Sequence, residues 1–278
     1  MYDITKFICN YKKIPFAVFY TDDYILHSKL SVINKKWMLK NYNWAISNAS
    51  CCFCIGELMS KEYSTNFNRV FYPIMNSIVI PSYYKKDNNL SSNVEMSYFG
   101  SLSLNRWSMI LRIGKILGNK VRINIYTSSI ITKHMMDAID NSNIIIQGFV
   151  GEKDIQMKMR ESDILLHVES DDEHTKLITS LSVSTKIPEY LSSGRMVVGY
   201  GPNDIASMRL LEDNKIGLVL KSTDNVDTIM SKIEPYLDNP QLRDDYGRRG
   251  YEYAIKTFNN EVIASNFKTL LYSNSQLS

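Results

Sequence analysis

From Glu95 to Leu220 the chain alternates short apolar runs with amphipathic stretches of helical period, and this alternation restricts the fold more than any other feature. Glu95–Phe99, Arg122–Thr127, Asn143–Gln147, Asp163–His167, Met196–Gly199 and Gly217–Leu220 read as strands. Arg106–Leu117, Ile130–Asp140, Asp154–Glu161 and Ile205–Glu212 carry helical spacing between them. Repeated strand–helix–strand units need right-handed crossovers, so the expected product is an α/β fold whose parallel sheet has helices on both faces. Ligands in such sheets bind outside the carboxyl ends of the strands, in the loops that follow the apolar runs.

The residues before Glu95 read as a second, smaller α/β unit. Met1–Lys13 is expected to be a short helix, and Phe16–Tyr20 (FAVFY) a buried strand that delivers Asp22 and Asp23 at its carboxyl end. These aspartates either serve a site there or cap the next helix. Ser28–Ser47 is expected to be helical, with Leu30, Ile33, Trp37 and Trp44 in one stripe and Lys29, Lys36 and Lys40 on another face. Cys51–Ile55 reads as a strand, followed by a helix through Leu58, Met59 and Tyr63. Residues 81–94 form the expected linker, with residues 1–80 and 95–258 as the two units. Val226–Tyr272 reads as helical throughout.

Leu181–Gly201 (LSVSTKIPEYLSSGRMVVGYG) holds the densest chemistry. Ser182, Ser184 and Thr185 are N-cap residue types, Pro188 suits a first helical turn, and Gly194 suits a left-handed cap. A loop entering a helix start beside Lys186 is an anion site in outline. Glu189 is placed to accept hydroxyl groups of a sugar, as acidic residues do for ribose in dinucleotide folds. Lys186 and Glu189, three residues apart, also fit a solvent-facing ion pair.

This stretch, S-x-S-T-K-I-P-E-Y-L-x-S-G-R-x-V-V, resembles the donor-binding motif of retaining GT-B glycosyltransferases of family 4, notably of a bacterial surface-polysaccharide subset. Glu189 matches the second Glu of that family's E-x7-E, while the first falls on Leu181, a departure from the pattern. Gly100–Arg106 stands where the family's G-R-L-x-x-x-K grips the donor diphosphate. Arg106 takes the place of the family Lys, and Ser101 replaces the family Arg, so one cation of the pair is missing and its role falls to Lys186. Gly148, Phe149 and Val150 resemble the turn that frames the nucleotide base, with a plain tight turn as the rival reading. His167-Val168-Glu169-Ser170 resembles the subset too, which puts Glu169 near the sugar pocket; His167 alone reads as a satisfied strand-end histidine.

The resemblance implies two Rossmann-like units facing a cleft, with residues 259–278 returning to the first unit. It implies a nucleotide-diphosphate sugar as donor, a glycan or lipid-linked acceptor, and no metal or other cofactor. Lys186, Arg106, Asp22 and Asp23 would be catalytic. Gly100, Ser101, Gly148, Phe149, Val150, Glu169, Ser184, Thr185, Lys186 and Glu189 would hold the donor. The N-terminal unit has fewer strands than the family's, which makes a non-catalytic nucleotide-sugar-binding subunit the second reading and a metal-free sugar-nucleotide epimerase the third.

Composition narrows the field. A net charge of +3 over 278 residues is too balanced for a protein that binds nucleic acid by neutralising phosphates. No apolar run reaches membrane-spanning length and Met1–Lys13 lacks a leader's apolar core, so a cytoplasmic protein is expected. The Lys29, Lys36 and Lys40 face is either solvated or rests on anionic lipid at the inner face of the membrane. The chain has no D-x-D, which argues against a Mg²⁺- or Mn²⁺-dependent GT-A enzyme. Cys51, Cys52 and Cys54 alternate along one apolar run and suit buried thiols rather than disulfides or zinc.

Overall fold

The computed structural model describes residues 2–26, 32–84 and 93–275. The first unit comprises α1 (Tyr2–Lys12), β1 (Ala17–Tyr20), α2 (Val32–Asn48), β2 (Cys51–Cys54), α3 (Glu57–Phe67) and β3 (Tyr72–Pro73). Its sheet is parallel, with three strands in the order β1-β2-β3. Strand alternation divides β2 between two clusters. Cys52 and Cys54 pack with Tyr20, Tyr42 and Met59, whereas Cys51 and Phe53 face the opposite side. All three are free thiols, and burial pushes Cys52 up to about 11 and Cys54 up to about 12.

Two expectations fail in this unit. The run at Phe16–Tyr20 reads as buried, yet β1 is an edge strand in which Ala17 is exposed and Phe19 is 48% exposed. An apolar run does not reveal which strands pair beside it. In α2, Trp37 is 57% exposed, and Tyr42, Ala45 and Ile46 carry the buried face. Trp44 stacks on Phe16 with ring centroids 5.5 Å apart. Lys36 and Lys40 are exposed, while Lys29, Leu30 and the Ile33 side chain lie outside the described residues.

The second unit continues through β4 (Val94–Phe99), α4 (Arg106–Leu117), β5 (Val121–Tyr126), α5 (Lys133–Ile139), β6 (Ile144–Gly148), α6 (Glu152–Glu161) and β7 (Ile164–Val168). Then follow α7 (Glu173–Thr179), α8 (Lys186–Ser192), β8 (Met196–Gly201), α9 (Ala206–Asp213) and β9 (Leu218–Lys221). Three helices close the chain: α10 (Val226–Asp238), α11 (Pro240–Thr257) and α12 (Asn260–Ser275). The six strands are parallel in the order β6-β5-β4-β7-β8-β9. One face is covered by α4 and α10 through Met109, Ile110, Ile113, Ile229 and Ile233, the other by α8, α9 and α11 through Ile187, Leu191, Leu211 and Ala254.

All six expected strands form. The C-terminal stretch expected to be helical is divided into three helices, at Asn239, which caps α11 with Pro240 in its first turn, and again after Phe258. Asp171 and Asp172 lie in the loop after β7, and the Asp172 carboxylate caps α7 by accepting from the N–H groups of His174 and Thr175. Asp171 pairs with Arg112.

The units touch in several places. Ile263, Leu270 and Leu271 of α12 pack against Cys51, Phe53 and Ile74, and the Phe53 and Phe267 rings lie 4.8 Å apart. The two chain crossings pair where Ile78 N–H donates to Phe258 O at 2.9 Å and Asn260 N–H donates to Ile78 O at 3.1 Å. Leu181 is buried in the first unit's core beside Tyr20, Cys52 and Tyr63, while Val183, two residues on, belongs to a core of the second unit. A cavity of about 720 Å³ lies among Leu58, Met75, Val183, Leu210, Phe258 and Ile263. The linker is held to the second unit as far as Tyr84, by Tyr251 Oη donating to Pro81 O and by Arg195 donating to Tyr84 O.

Candidate functional site

The order β5-β4-β7 makes a switch point, because the chain leaves β4 on one side and returns to β7 on the other. The loops after β4 and β7 therefore diverge and leave a crevice at the carboxyl edge. Gly100 follows β4 with φ +127, and its N–H donates to Tyr126 O at 2.9 Å. A Cβ there would fall 2.4 Å from Lys186 Cε and 2.5 Å from Nζ, so the backbone conformation favours glycine and any side chain would displace the lysine tip.

Lys186 crosses this glycine from the start of α8. Its Nζ donates to the Tyr98 hydroxyl at 3.1 Å and lies 4.6 Å from the Tyr98 ring centroid. The Tyr98 hydroxyl in turn donates to Ser101 O at 2.5 Å. Tyr190, one turn along α8, is fully buried; its hydroxyl accepts from Phe99 N–H at 2.9 Å and faces Phe99 O at 3.3 Å. That clamp holds α8 against the end of β4.

Arg106 opens α4, and its Nη2 lies 3.3 Å from Glu169 Oε2, just past β7. The other carboxylate oxygen of Glu169 is 3.3 Å from His167 Nε2, outside hydrogen-bonding geometry. Arg106 Nε and His167 Nδ1 are buried without hydrogen-bond partners. Burial lowers the proton affinity of His167, against the pull of Glu169. Burial alone would raise Glu169, but His167, Arg106 and Lys186 outweigh it and hold the carboxylate below its ordinary range.

Lys186 is lowered to about 8, first by burial and then by Arg106, with Glu169 and Glu189 opposing. Glu189 is raised by burial against the attraction of Lys186. No ion pair joins Lys186 to Glu189 among the described residues, since the ammonium is drawn to Tyr98. The surface ion-pair reading therefore fails. A largely desolvated ammonium lies over the glycine at the switch point with a second cation, Arg106, near enough to act on it, and this suits an anionic ligand.

The other expected residues divide. Ser101 is exposed and its hydroxyl donates to Ser103 Oγ at 2.8 Å, which shapes the loop. Ser184 N–H donates to Ser207 Oγ at 3.0 Å, Ile187 N–H donates to Ser184 O at 3.2 Å, and Pro188 has no N–H. Thr185 holds the N-cap position without a side-chain cap bond. The start of α8 thus offers an anion less backbone than the sequence implies, and the lysine ammonium carries more of the charge. Glu169 is buried on Arg106 rather than open to a sugar.

Gly148 has φ +81, Phe149 is 76% exposed at the end of β6, and Val150 packs against the second unit's core. Asp22 is half-buried and accepts from the Tyr24 hydroxyl at 3.4 Å. Asp23 is buried; it accepts from the N–H groups of Ile25 and Leu26 and from the Tyr63 hydroxyl at 2.9 Å. These bonds hold a buried turn of the first unit, ahead of α2, rather than a surface helix cap. Among the described residues no group of three or more His, Cys, Asp or Glu side chains is placed to hold a metal ion. None of the described helices is long and apolar enough to cross a membrane.

No protein-family model matches the chain, nor does any curated protein. Solved structures do match over nearly its whole length. A TarM variant from S. aureus, solved with fondaparinux, α-GlcNAc-glycerol and UDP, has a TM-score of 0.70 at 16% identity, covering 95% of this chain and 52% of its own. Anabaena HepE, solved with UDP and glucose, has a TM-score of 0.71 at 17% identity, covering 98% and 75%. WaaG, a glycosyltransferase involved in lipopolysaccharide biosynthesis, has a TM-score of 0.64 at 10% identity, covering 96% and 80%. The fold is GT-B. The chain spans about half the length of the TarM variant and three quarters of HepE.

Two features of the GT-B site were missed by sequence reasoning. Tyr98 is the penultimate residue of β4, two before Gly100, and its nearness in sequence to that glycine was the available signal. The contact between His167 and Glu169 has the same two-residue spacing, but Glu169 lies just past β7, so their meeting also depends on how the chain turns there.

Proposed function

We propose that this chain is a glycosyltransferase that moves a sugar from a nucleotide-diphosphate donor to a glycan or lipid-linked acceptor with retention, in cell-surface polysaccharide assembly. The observation that carries the reading is the Lys186 ammonium lying over Gly100 at the β4/β7 switch point, with the Arg106 guanidinium close enough to act on its charge. Negative charge grows on the departing diphosphate in the transition state, and these cations are fixed in a partly desolvated crevice to meet it. Glu189, half-buried one turn along α8, is assigned to the ribose hydroxyls, and Phe149 to the base. The UDP in the TarM and HepE structures supports a nucleotide donor. Charge stabilisation in this reading needs no metal ion.

The test is a calorimetric screen of UDP-, GDP- and dTDP-sugars, followed by anomeric assignment of the product by NMR. Binding to none of the three donor classes would overturn the reading. The three strands that the first sheet has among the described residues support the second reading, a nucleotide-sugar-binding subunit, which predicts donor binding without turnover by this chain alone. A lipid-linked acceptor would place the protein at the cytoplasmic membrane face, where exposed Lys36, Trp37 and Lys40 supply cationic and aromatic contacts.

A further inference from the structure

We infer that Tyr98 is a positioning residue of the anion site, holding the Lys186 ammonium over Gly100 and tying it to the Gly100–Ser103 loop through one hydroxyl. The inference deepens the diphosphate reading and rests on it for the identity of the anion. The geometry itself is independent of that identity.

The hydroxyl has two uses, and both are filled. It accepts from Lys186 Nζ at 3.1 Å and donates to Ser101 O at 2.5 Å. The ring beneath adds a cation–π contact at 4.6 Å. An ammonium has three donors, and Tyr98 occupies one, which leaves two for the oxygens of a bound anion. The groups that act on this ammonium are Arg106 from α4, Glu169 from the loop after β7 and Glu189 from its own helix. None of them bonds it directly. Tyr98 alone sets its direction, and the ring, fully buried in the core with Met96 and Ile110, cannot move with it.

A second consequence concerns the loop. Ser101 Oγ accepts from Ser103 N–H at 3.1 Å and bonds Ser103 Oγ at 2.8 Å, so the turn that Tyr98 pins at Ser101 O is braced internally. The hydroxyl thereby sets the distance between the lysine and the loop facing it. A phenylalanine would keep the ring and lose that spacing.

The experiment uses the full chain and two readouts. The pH dependence of reductive methylation at Lys186, followed by peptide mass spectrometry, reports its environment without any ligand. Calorimetric titration with inorganic pyrophosphate reports the site. In the parent, Lys186 should be methylated at a lower pH than the surface lysines. Tyr98→Phe should shift its profile and weaken pyrophosphate about tenfold, the loss of one hydrogen bond to a charged group. Tyr98→Leu, which also removes the ring, should shift both further.

A Tyr98→Phe profile that superposes on the parent's, in a protein with unchanged circular dichroism, overturns the inference. So does a parent Lys186 that reacts like a surface lysine, a measurement that needs no variant. If the profile shifts but the parent binds neither pyrophosphate nor any nucleotide sugar, the positioning role stands and the diphosphate reading falls.

Discussion

Lys186 Cε would stand 2.4 Å from a Cβ at Gly100, a separation that real side chains do not tolerate. The backbone at Gly100, with φ +127, is also one that only glycine adopts without strain. Gly100→Ala should therefore displace the lysine as well as strain the chain. The expected cost in stability is about 1–3 kcal/mol, measured by chemical denaturation. Pyrophosphate affinity should fall more steeply than that strain explains, because the ammonium moves off Tyr98.

Lys186→Ala and Glu189→Ala should differ in kind. Removing the lysine deletes a charge-assisted contact worth about 1.5–3 kcal/mol, and turnover should suffer more than donor affinity because the charge it meets grows during reaction. Removing Glu189 should chiefly weaken donor binding. Steady-state kinetics beside calorimetry separates the two, and equal effects on affinity and turnover in both variants would contradict the assignment.

The pH dependence has a definite sign. Lys186 is lowered from 10.5 to about 8 in the folded chain. Below pH 8 both states carry the proton, and the folded protein bears the full cost of burying it. Between pH 8 and 10.5 the unfolded chain holds a proton that the native chain lacks, so this site's contribution to stability rises with pH. Lys186→Met should be more stable than the parent below pH 8, and the advantage should shrink above it. Anion binding should run the other way and fade as the pH passes 8.

Asp22 and Asp23 sit side by side and should respond oppositely. Asp23→Ala strips three hydrogen bonds from a buried turn and leaves Tyr63 Oη without that acceptor, at a cost of about 2 kcal/mol or more. Asp22→Asn, half-buried and bonded to Thr21 and Tyr24 at long range, should leave thermal stability almost unchanged. Any loss of transfer activity in Asp22→Asn is then chemical rather than structural. A lowered melting temperature in that variant would remove the distinction.

Leu181→Ala should cost about 2–5 kcal/mol, the range for a buried leucine. Leu181→Glu, which restores the acidic residue of the E-x7-E pattern, should be worse, since the carboxylate would enter a core of Tyr20, Cys52 and Tyr63. Denaturation curves for the two variants check the order.

Much of the second unit was readable in the residues because its central strands β7 and β8 are buried throughout, and the strands further out still carry apolar residues between turn residues. The first unit was harder to read. Whether Phe16–Tyr20 is central or peripheral depends on what pairs with it, and Trp37 resembles a core residue until the Tyr42, Ala45 and Ile46 face is seen to take the packing. At the site, Lys186, Arg106 and Glu189 could be named from spacing and resemblance. Their directions could not. The ammonium prefers an aromatic ring on a neighbouring strand to the carboxylate three residues along its own helix, and only the tertiary fold brings that ring within reach.

Leu181 and Val183 flank a single residue, yet one is lodged among the side chains of the first sheet and the other among those of the second. Lys186 begins its helix three residues later. A rotation of one sheet relative to the other must either pull Leu181 from its socket or drag the root of α8 along with it. The ammonium over Gly100 thus hangs on a segment rooted in both cores, so a packing defect in either unit reaches the charge through the start of α8.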